Sequence, residues 1–527
     1  DNTWFVKTVL DGIEKEAKGS FTIVANSPDK NYLSIPLKTI EGYTPNDLSV
    51  GDLNGDGRYE LVVHMTSQGK DNSFKGLSNP PIFQAYTLDR KFLWEINLGK
   101  NIREGAHYTQ FMVYDLDGDG IAELICKTAD GTTDSANNVV GDATKDWRDL
   151  DPKSATFGKI LEGPEYLSVF DGKTGKLVTT VPYIPERGNI GKWGGNGGNG
   201  KNDNTGNRVD RFTACIAYLD GVHPSVVMCR GYYGRIVMAA WDFKDKKLTS
   251  RWVFDTKDGN NPFSGMGNHG LSVADVDNDG KDEIIFGSMV VDDDGKGLYT
   301  TGFRHGDALH VSDLDPEIPG QEVFGVHEIE EGTKGPGVTL FSAANGKVLF
   351  TAMEDEDVGR GVADNIDSTR VGAQMWWSGS KGLYDIKGNK IGEAPRSTNF
   401  LIYWDGDASR ELLNSNYIDK YGKGRIFTAE GASSNNGTKS TPSLSADILG
   451  DWREELILRS NDNSELRIYS TTIPTAIRQY TLMHDSQYRL AIAWQNVGYN
   501  QPPHTSFYMG TGMKPAPKPN IILVPSK

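Results

Sequence analysis

The groups in this chain that could do chemistry lie in three acidic loops and in a histidine-rich middle segment. In DLDGDGIAE, Asp115, Asp117 and Asp119 stand at alternate positions, Gly120 permits a sharp turn, and Glu123 closes the series. Carboxylates in that order, with a backbone carbonyl between the last two, can wrap one hard, oxygen-seeking cation, which is calcium chemistry. DLNGDGRYE offers Asp52, Asn54, Asp56 and Glu60, and DVDNDGKDE offers Asp275, Asp277, Asp279 and Glu283. All three loops are expected to bind Ca2+. An EF-hand would need flanking helices and a closing Glu farther along. Here FMVY precedes the Asp115 loop and LICK follows it, so the loop joins two strands.

The segments GNHGLSVADVDNDG, FRHGDALHVSDLD and VFGVHEIEE place His269, His305, Asp307, His310, His327 and Glu328 at strand entrances or exits. A lone histidine in such a place is usually structural. The paired contexts, close together in sequence, point to a metal site instead. Other polar groups take equivalent positions: Arg103, His107, Tyr108 and Gln110; Arg360; Asn436, Gly437, Thr438 and Lys439; and Arg489, Tyr499, Asn500 and His504. Lys127 precedes a polar insertion that reads equally as a surface loop or a cleft wall. Arg208, Arg211, Arg230 and Arg235, with Tyr232 and Tyr233 among them, could bind a charged sugar by ion pairing and stacking. They could equally be salt bridges between structural repeats.

These groups need a scaffold that brings distant segments together, and the frame "apolar strand, acidic loop, apolar strand" supplies one. It recurs in weaker form from Tyr218, Ser312, Ala363, Trp404 and Ala446, giving eight copies, three of them intact. Gly-containing hairpins such as FDGKTGKLV, FSAANGKVLF and LYDIKGNKIG would complete four-stranded units. The expectation is all-β: an eight-bladed β-propeller with calcium-binding inter-strand loops over residues 41–527. Residues 1–40 read as the last strands of a small β-domain plus a connector, SPDKNYLSIPL. The stretch 185–208, with GGNGGNG, is a long loop, and KPAPKPNIILVPSK an extended tail.

The net charge of −16 argues against a nucleic-acid partner. No apolar run is long enough to span a membrane. The chain shows no basic-plus-apolar leader. Calcium loops of this type suit an exported protein, and a monomer is the expected state. Cys126, Cys215 and Cys229 lie in apolar strands and read as buried thiols, with a Cys215–Cys229 bridge open if their strands are neighbours.

GAHYTQFMVYDLDGDG, GPEYLSVFDGKTGK, GNRVDRF, HGDALHVSDLDP, NNGTKSTPSLSADILGDWREE and YNQPPHTSF resemble the rhamnogalacturonan lyases of polysaccharide lyase family 11, from about Ser49 to Pro519. The resemblance implies an eight-bladed propeller with several Ca2+ ions, and cleavage of rhamnogalacturonan I, a pectic polysaccharide, by β-elimination at the rhamnose–galacturonate linkage. It implies a cleft calcium site at His269, His305, Asp307 and Glu328. It places Arg360, Lys439 and Tyr499 in the substrate cleft, Arg360 as neutraliser of the uronate carboxylate and Lys439 or Tyr499 as the base. Arg103, His107, Lys127, Arg208, Arg211, Arg230, Asn436, Gly437, Thr438 and Arg489 are the expected substrate contacts. Endo action is expected, with exo action open. Two other classes stand beside this reading. A non-catalytic calcium propeller would use the loops as scaffold alone. A glycoside hydrolase would need two opposed carboxylates.

Overall fold

The computed structural model describes residues 2–10, 13–21, 30–195, 201–257, 261–329, 335–519 and 521. The glycine-rich stretch 196–200 and the tail beyond 521 lie outside them. The chain divides into two compact units, 1–33 and 34–527. The first is an antiparallel hairpin of strands Asn2–Leu10 and Ile13–Phe21, in which Asn2 pairs with Phe21.

The second unit is an eight-bladed β-propeller. Seven blades are four-stranded antiparallel sheets in simple sequence order, spanning 44–97, 111–182, 212–255, 272–300, 308–353, 361–392 and 400–428. The expected outer hairpins appear where turn residues allow them, with Leu177–Pro182, Val348–Met353 and Lys390–Gly392 as outermost strands. The eighth blade, over 432–469, takes its outermost strand from the other end of the chain, Leu33–Pro36. This corrects the reading of that stretch as a connector. Ser34 and Ile35 are buried, Ile35 wholly so, and Ser34 bonds Glu465 while the Leu37 amide donates to the Ser464 carbonyl at 2.9 Å.

Most inner strands are buried on every residue, as in Phe111–Tyr114, Ser272–Ala274 and Leu444–Ala446; in the first blade only the stretch from Asp47 on is. They are therefore apolar runs rather than alternating ones. All the acidic loops follow an inner strand, so they share one face of the ring. Residues that precede inner strands, or follow second strands, share the opposite face.

The one α-helix among the described residues, Ser486–Trp494, was not anticipated. Asp485 caps it by accepting the Tyr488 amide at 3.0 Å. It contacts the inner strands of the first four blades. Gln487 donates to the Val311 carbonyl, and Gln495 exchanges bonds with both backbone groups of Ser445. The helix thus fills the centre of the ring. Its run LAIAW is apolar all round because blades surround it, which hides helical periodicity. The three cysteines are free and buried; Cys215 pairs across the ladder with Val227 and Cys229 with Thr213, so no bridge joins them. No helix among the described residues is long and apolar enough to cross a membrane.

Candidate active site

On the face opposite the acidic loops, the strand-entrance residues converge. His269 Nε2 lies 3.3 Å from Asp307 Oδ1 and 3.9 Å from Glu328 Oε1, and His305 Nε2 lies 3.4 Å from the same Glu328 oxygen. Ligand atoms of these four residues fall within 4.8 Å of one another. His305 Nδ1 faces the Gly267 carbonyl at 2.5 Å, so that nitrogen carries the proton. His305 Nε2 is then a bare acceptor pointed at a carboxylate, buried with no hydrogen-bond partner, as is Asp307 Oδ1. Converging acceptors of this kind repel unless a cation joins them, so the donor set fits a metal ion. Burial holds the His269 imidazole well below its ordinary value, which keeps it neutral as a ligand must be.

Lys439 and Tyr499 sit against this group. The Lys439 ammonium is 3.3 Å from Asp307 Oδ2, 3.3 Å from the Gly359 carbonyl and 3.9 Å from the centre of the Tyr499 ring. The other face of that ring stacks on His269 at 4.3 Å and 11°. Burial lowers the Lys439 ammonium, against the pull of Asp307 and with the push of Arg360. Burial raises the Tyr499 phenol, with Asp307 adding to the rise. Arg360 reaches over to Thr438 Oγ1 at 2.8 Å.

The Lys439 turn is held from outside the eighth blade. Asn436 and Ser440 both take left-handed backbone angles, with φ of 59° and 53°. Asn436 Nδ2 donates to Asp47 of the first blade at 3.1 Å and to Thr441 at 2.8 Å. The segment leaving the helix delivers Tyr499, whose amide bonds the His269 carbonyl at 2.9 Å.

A groove of about 550 Å3 runs up to Tyr499 and His107, lined among others by Asp47, His64, Asp71, Glu104 and Asn436. Across Lys439 lies a second recess with Asp307, Arg360, Asn399 and Gln501. Tyr232 and Tyr233 bond the two nitrogens of His269 at 3.0 and 3.2 Å, and Arg208 lies 4.5 Å from the Tyr233 ring centre. Arg211 approaches Asp71 at 3.6 Å, and its charge, after burial, holds His107 well below the usual range.

Several expected substrate contacts serve the scaffold. Lys127, Arg230 and Arg187 converge on one oxygen of Glu165, at 2.9, 2.6 and 3.0 Å, which ties the second blade to the third. Arg103 is buried under the loop after residue 70. Arg489 on the central helix donates to the Val50 and Val113 carbonyls, two residues short of the acidic loops, and so lies toward the opposite face. His310 and His327 bond His504 and Thr339 and stay outside the cluster. Asp47, His64, Asp71 and Glu104 were missed, because a polar residue inside or just after a strand carries no local signal of the groove.

In the acidic loops, Asp115, Asp117 and Glu123 gather, as do Asp275, Asp277 and Asp279, and Asp292 joins Asp277 and Glu283. Asp119 instead accepts the Ile121 amide. In the first loop Asp56 turns out to Arg58, and Asn54 donates to Glu60, so Asp52, Asn54, Asp56 and Glu60 do not close on one point. Burial, opposed by one backbone amide and reinforced by neighbouring carboxylates, pushes Glu123 and Glu283 up to about 8.

Residues 33–519 match the family described as Rhamnogalacturonan lyase family 11, C-terminal domain. The chain belongs to rhamnogalacturonan lyase family 11. It is 53% identical to rhamnogalacturonan endolyase YesW of Bacillus subtilis (strain 168), over 99% of this chain and 83% of that protein. It is 51% identical to rhamnogalacturonan exolyase YesX of the same strain, over 94% of this chain and 84% of that one. The crystal structure of YesW superposes with a TM-score of 0.91 over 99% of this chain and 88% of the other, at 51% identity. A Bacillus licheniformis rhamnogalacturonan lyase superposes with a TM-score of 0.92 over the same shares, at 52% identity. The eight-bladed expectation and the family assignment agree with these matches.

Proposed function

We propose that this chain is an exported endo-acting lyase that cuts the rhamnose–galacturonate backbone of rhamnogalacturonan I by β-elimination. The observation that carries the reading is the convergence of Lys439, Tyr499 and Arg360 on the His269–His305–Asp307–Glu328 group, between two recesses. Removing the C5 proton of galacturonate loads negative charge onto the adjoining carboxylate, so a positive group must face that carboxylate. In this reading Arg360, whose charge acts on neighbouring Lys439, takes that role. A divalent cation, Ca2+ in this reading, held by His269, His305, Asp307 and Glu328 would supply further charge at the same carboxylate. Lys439 and Tyr499 present a nitrogen and a hydroxyl side by side for the two proton transfers, one from C5 and one to the departing oxygen. His107, Tyr232 and Tyr233 wall the site around His269.

Endo action rests on the open groove of about 550 Å3 that leads up to Tyr499, beside Lys439, and gives a bound chain room to extend from the cut. Homologues of both modes stand at similar identity, so the sizes of the products decide. Export rests on the acidic loops, whose ions are plentiful outside the cell. The test is turnover on rhamnogalacturonan I and on homogalacturonan, with and without chelator, followed by ultraviolet absorbance and product sizing. Elimination creates a conjugated double bond that absorbs; hydrolysis does not. Early products of many lengths support endo action, a single short product from the start supports exo action, and products without absorbance defeat the lyase reading.

A further inference from the structure

The loop after residue 70 borders the groove through Gly69, Lys70 and Asp71, then turns outward, and at its tip the Phe74 ring is 66% exposed. An exposed phenylalanine on a surface loop is ordinarily mobile and carries no weight. This loop is held from beneath by three buried cations. Arg103 Nη2 donates to the Phe74 carbonyl at 2.7 Å and the Gly76 carbonyl at 3.4 Å, and its Nη1 to the Asp71 carbonyl at 3.4 Å. The Lys159 ammonium donates to the Asn72 carbonyl at 2.8 Å, and Arg211 faces the Asp71 carboxylate. Arg103, Lys159 and Arg211 are 3%, 2% and 4% exposed.

Among the described residues, neither Arg103 nor Lys159 forms a carboxylate ion pair. Lys159 directs its charge at the Asn72 carbonyl, and Arg103 divides its own between the loop carbonyls and the hydroxyl and ring of Tyr108. Burying a cation without a carboxylate is costly, so the fold accepts a loss of stability to fix the loop backbone. Further bonds add to the restraint: the Phe74 amide closes a turn on the Asp71 carbonyl at 3.1 Å, and the Gly76 amide reaches the Phe157 carbonyl at 2.7 Å. A ring presented on an immobilised backbone binds with little loss of conformational freedom, which is what a contact surface requires.

We propose that Phe74 is a stacking platform for a pyranose ring of the polysaccharide, outside the pair of sugars at the cut, and that Arg103 and Lys159 are its positioning residues. The proposal rests on the lyase reading above. Its occupant is a sugar of the bound chain because the loop is continuous with the groove. The less polar C–H face of a pyranose, with the methyl group of rhamnose, offers an aromatic ring the apolar contact that the uronate carboxylate does not.

The experiment measures KM and kcat of wild type, Phe74→Ala and Phe74→Trp on rhamnogalacturonan I and on its shortest cleavable oligosaccharide. Phe74→Ala is expected to raise KM on the polymer about five-fold, to leave kcat and the KM of the short substrate unchanged, and to be reversed by Phe74→Trp. Arg103→Met is expected to reproduce the polymer-specific rise in KM with Phe74 still present. An active wild type with a Phe74→Ala polymer KM unchanged, or raised equally on both substrates, overturns the platform and leaves the lyase reading intact. A wild type that gives no absorbing product from rhamnogalacturonan I overturns the lyase reading, and the platform with it.

Discussion

At the scale of single residues, the site sets a few charged groups against each other at short range. Lys439 stands between Asp307 on one side and Arg360 on the other, with the Tyr499 ring beneath it. If this nitrogen and the Tyr499 hydroxyl transfer the protons, Lys439→Ala and Tyr499→Phe should each reduce kcat by roughly 10²-fold or more, the usual scale for a lost acid or base. Arg360→Ala should cost as much, since the developing carboxylate charge would lose its partner. Tyr499→Phe, which keeps the ring, and Arg360→Ala, which loses a bond to an exposed turn, should melt near wild type, whereas Lys439→Ala should melt somewhat lower because Asp307 loses its ammonium partner. Steady-state rates and thermal melts check both halves. Rescue of Lys439→Ala, but not Tyr499→Phe, by small added amines would assign the base. Buried imidazoles contribute to acid stability, and His310 is one of several that burial lowers. Burial, with His504 beside it, lowers the His310 imidazole to about 3 from 6.5. Between those values the unfolded chain binds the extra proton, so stability rises with pH across this window and is lost as pH falls below 6.5. The loss approaches about 1.4 kcal/mol per pH unit for this group. Denaturant midpoints followed from pH 6.5 down should show the slope, and His310→Gln should lessen it by this one group's share, the other buried histidines keeping theirs.

At the scale of elements, the acidic loops explain both what was legible in sequence and what was not. The closing glutamate does the same mechanical work whether or not a loop looks intact. Its carboxylate accepts the amide after the first loop residue in Glu60, Glu123, Glu283, Glu322, Glu411 and Glu455, and in the sixth blade Gln374 does it with an amide oxygen. That repeated hairpin is why eight blades could be counted from fading copies. The fillings differ, and sequence does not show them. In the seventh blade Lys420, from the third strand, puts its ammonium within 2.7–3.0 Å of Asp405, Asp407, Ser409 and Glu411. A cation belonging to the chain occupies the place an ion would take. Lys420→Met should therefore cost about 3 kcal/mol, because it strands the buried Glu411 carboxylate, Asp407 being open to solvent. Millimolar calcium should restore much of the loss, whereas Lys420→Arg should retain stability without added metal. Chelator should lower the melting temperature of wild type through the Asp115 and Asp275 loops, and calorimetry with and without calcium measures both effects. The central helix and Leu33–Pro36 escaped for the opposite reason: one is too apolar to show a period, and the other too short to show its partner.

At the scale of the whole molecule, the ring closes where the Lys439 turn is built. The eighth blade holds Lys439 on its inner strand's approach and receives Leu33–Pro36 as its outer strand. The first blade bonds it from the next position: the Leu48 amide reaches the Ser443 carbonyl at 3.0 Å, and Asp47 holds Asn436. The strand Leu33–Pro36 and these bonds join the two ends of the ring, together with the central helix, whose Gln495 exchanges bonds with Ser445 of the eighth blade. Closure strength and cleft geometry are therefore coupled. Ile35, wholly buried in the closing strand, is the lever on that coupling, and it lies outside the cleft lining. Ile35→Asp buries a charge with no partner and should lower stability by about 3 kcal/mol or more. Because the Lys439 turn leans on the seam, activity should fall with temperature in step with opening of the seam, well before the central blades unfold. Ile35→Val, which keeps the strand apolar, should cost about 1 kcal/mol and leave the activity profile in place. Following turnover and tryptophan fluorescence along one temperature ramp separates these outcomes. Coincident loss of both signals in Ile35→Asp, at the wild-type temperature, would show that the seam does not carry the site.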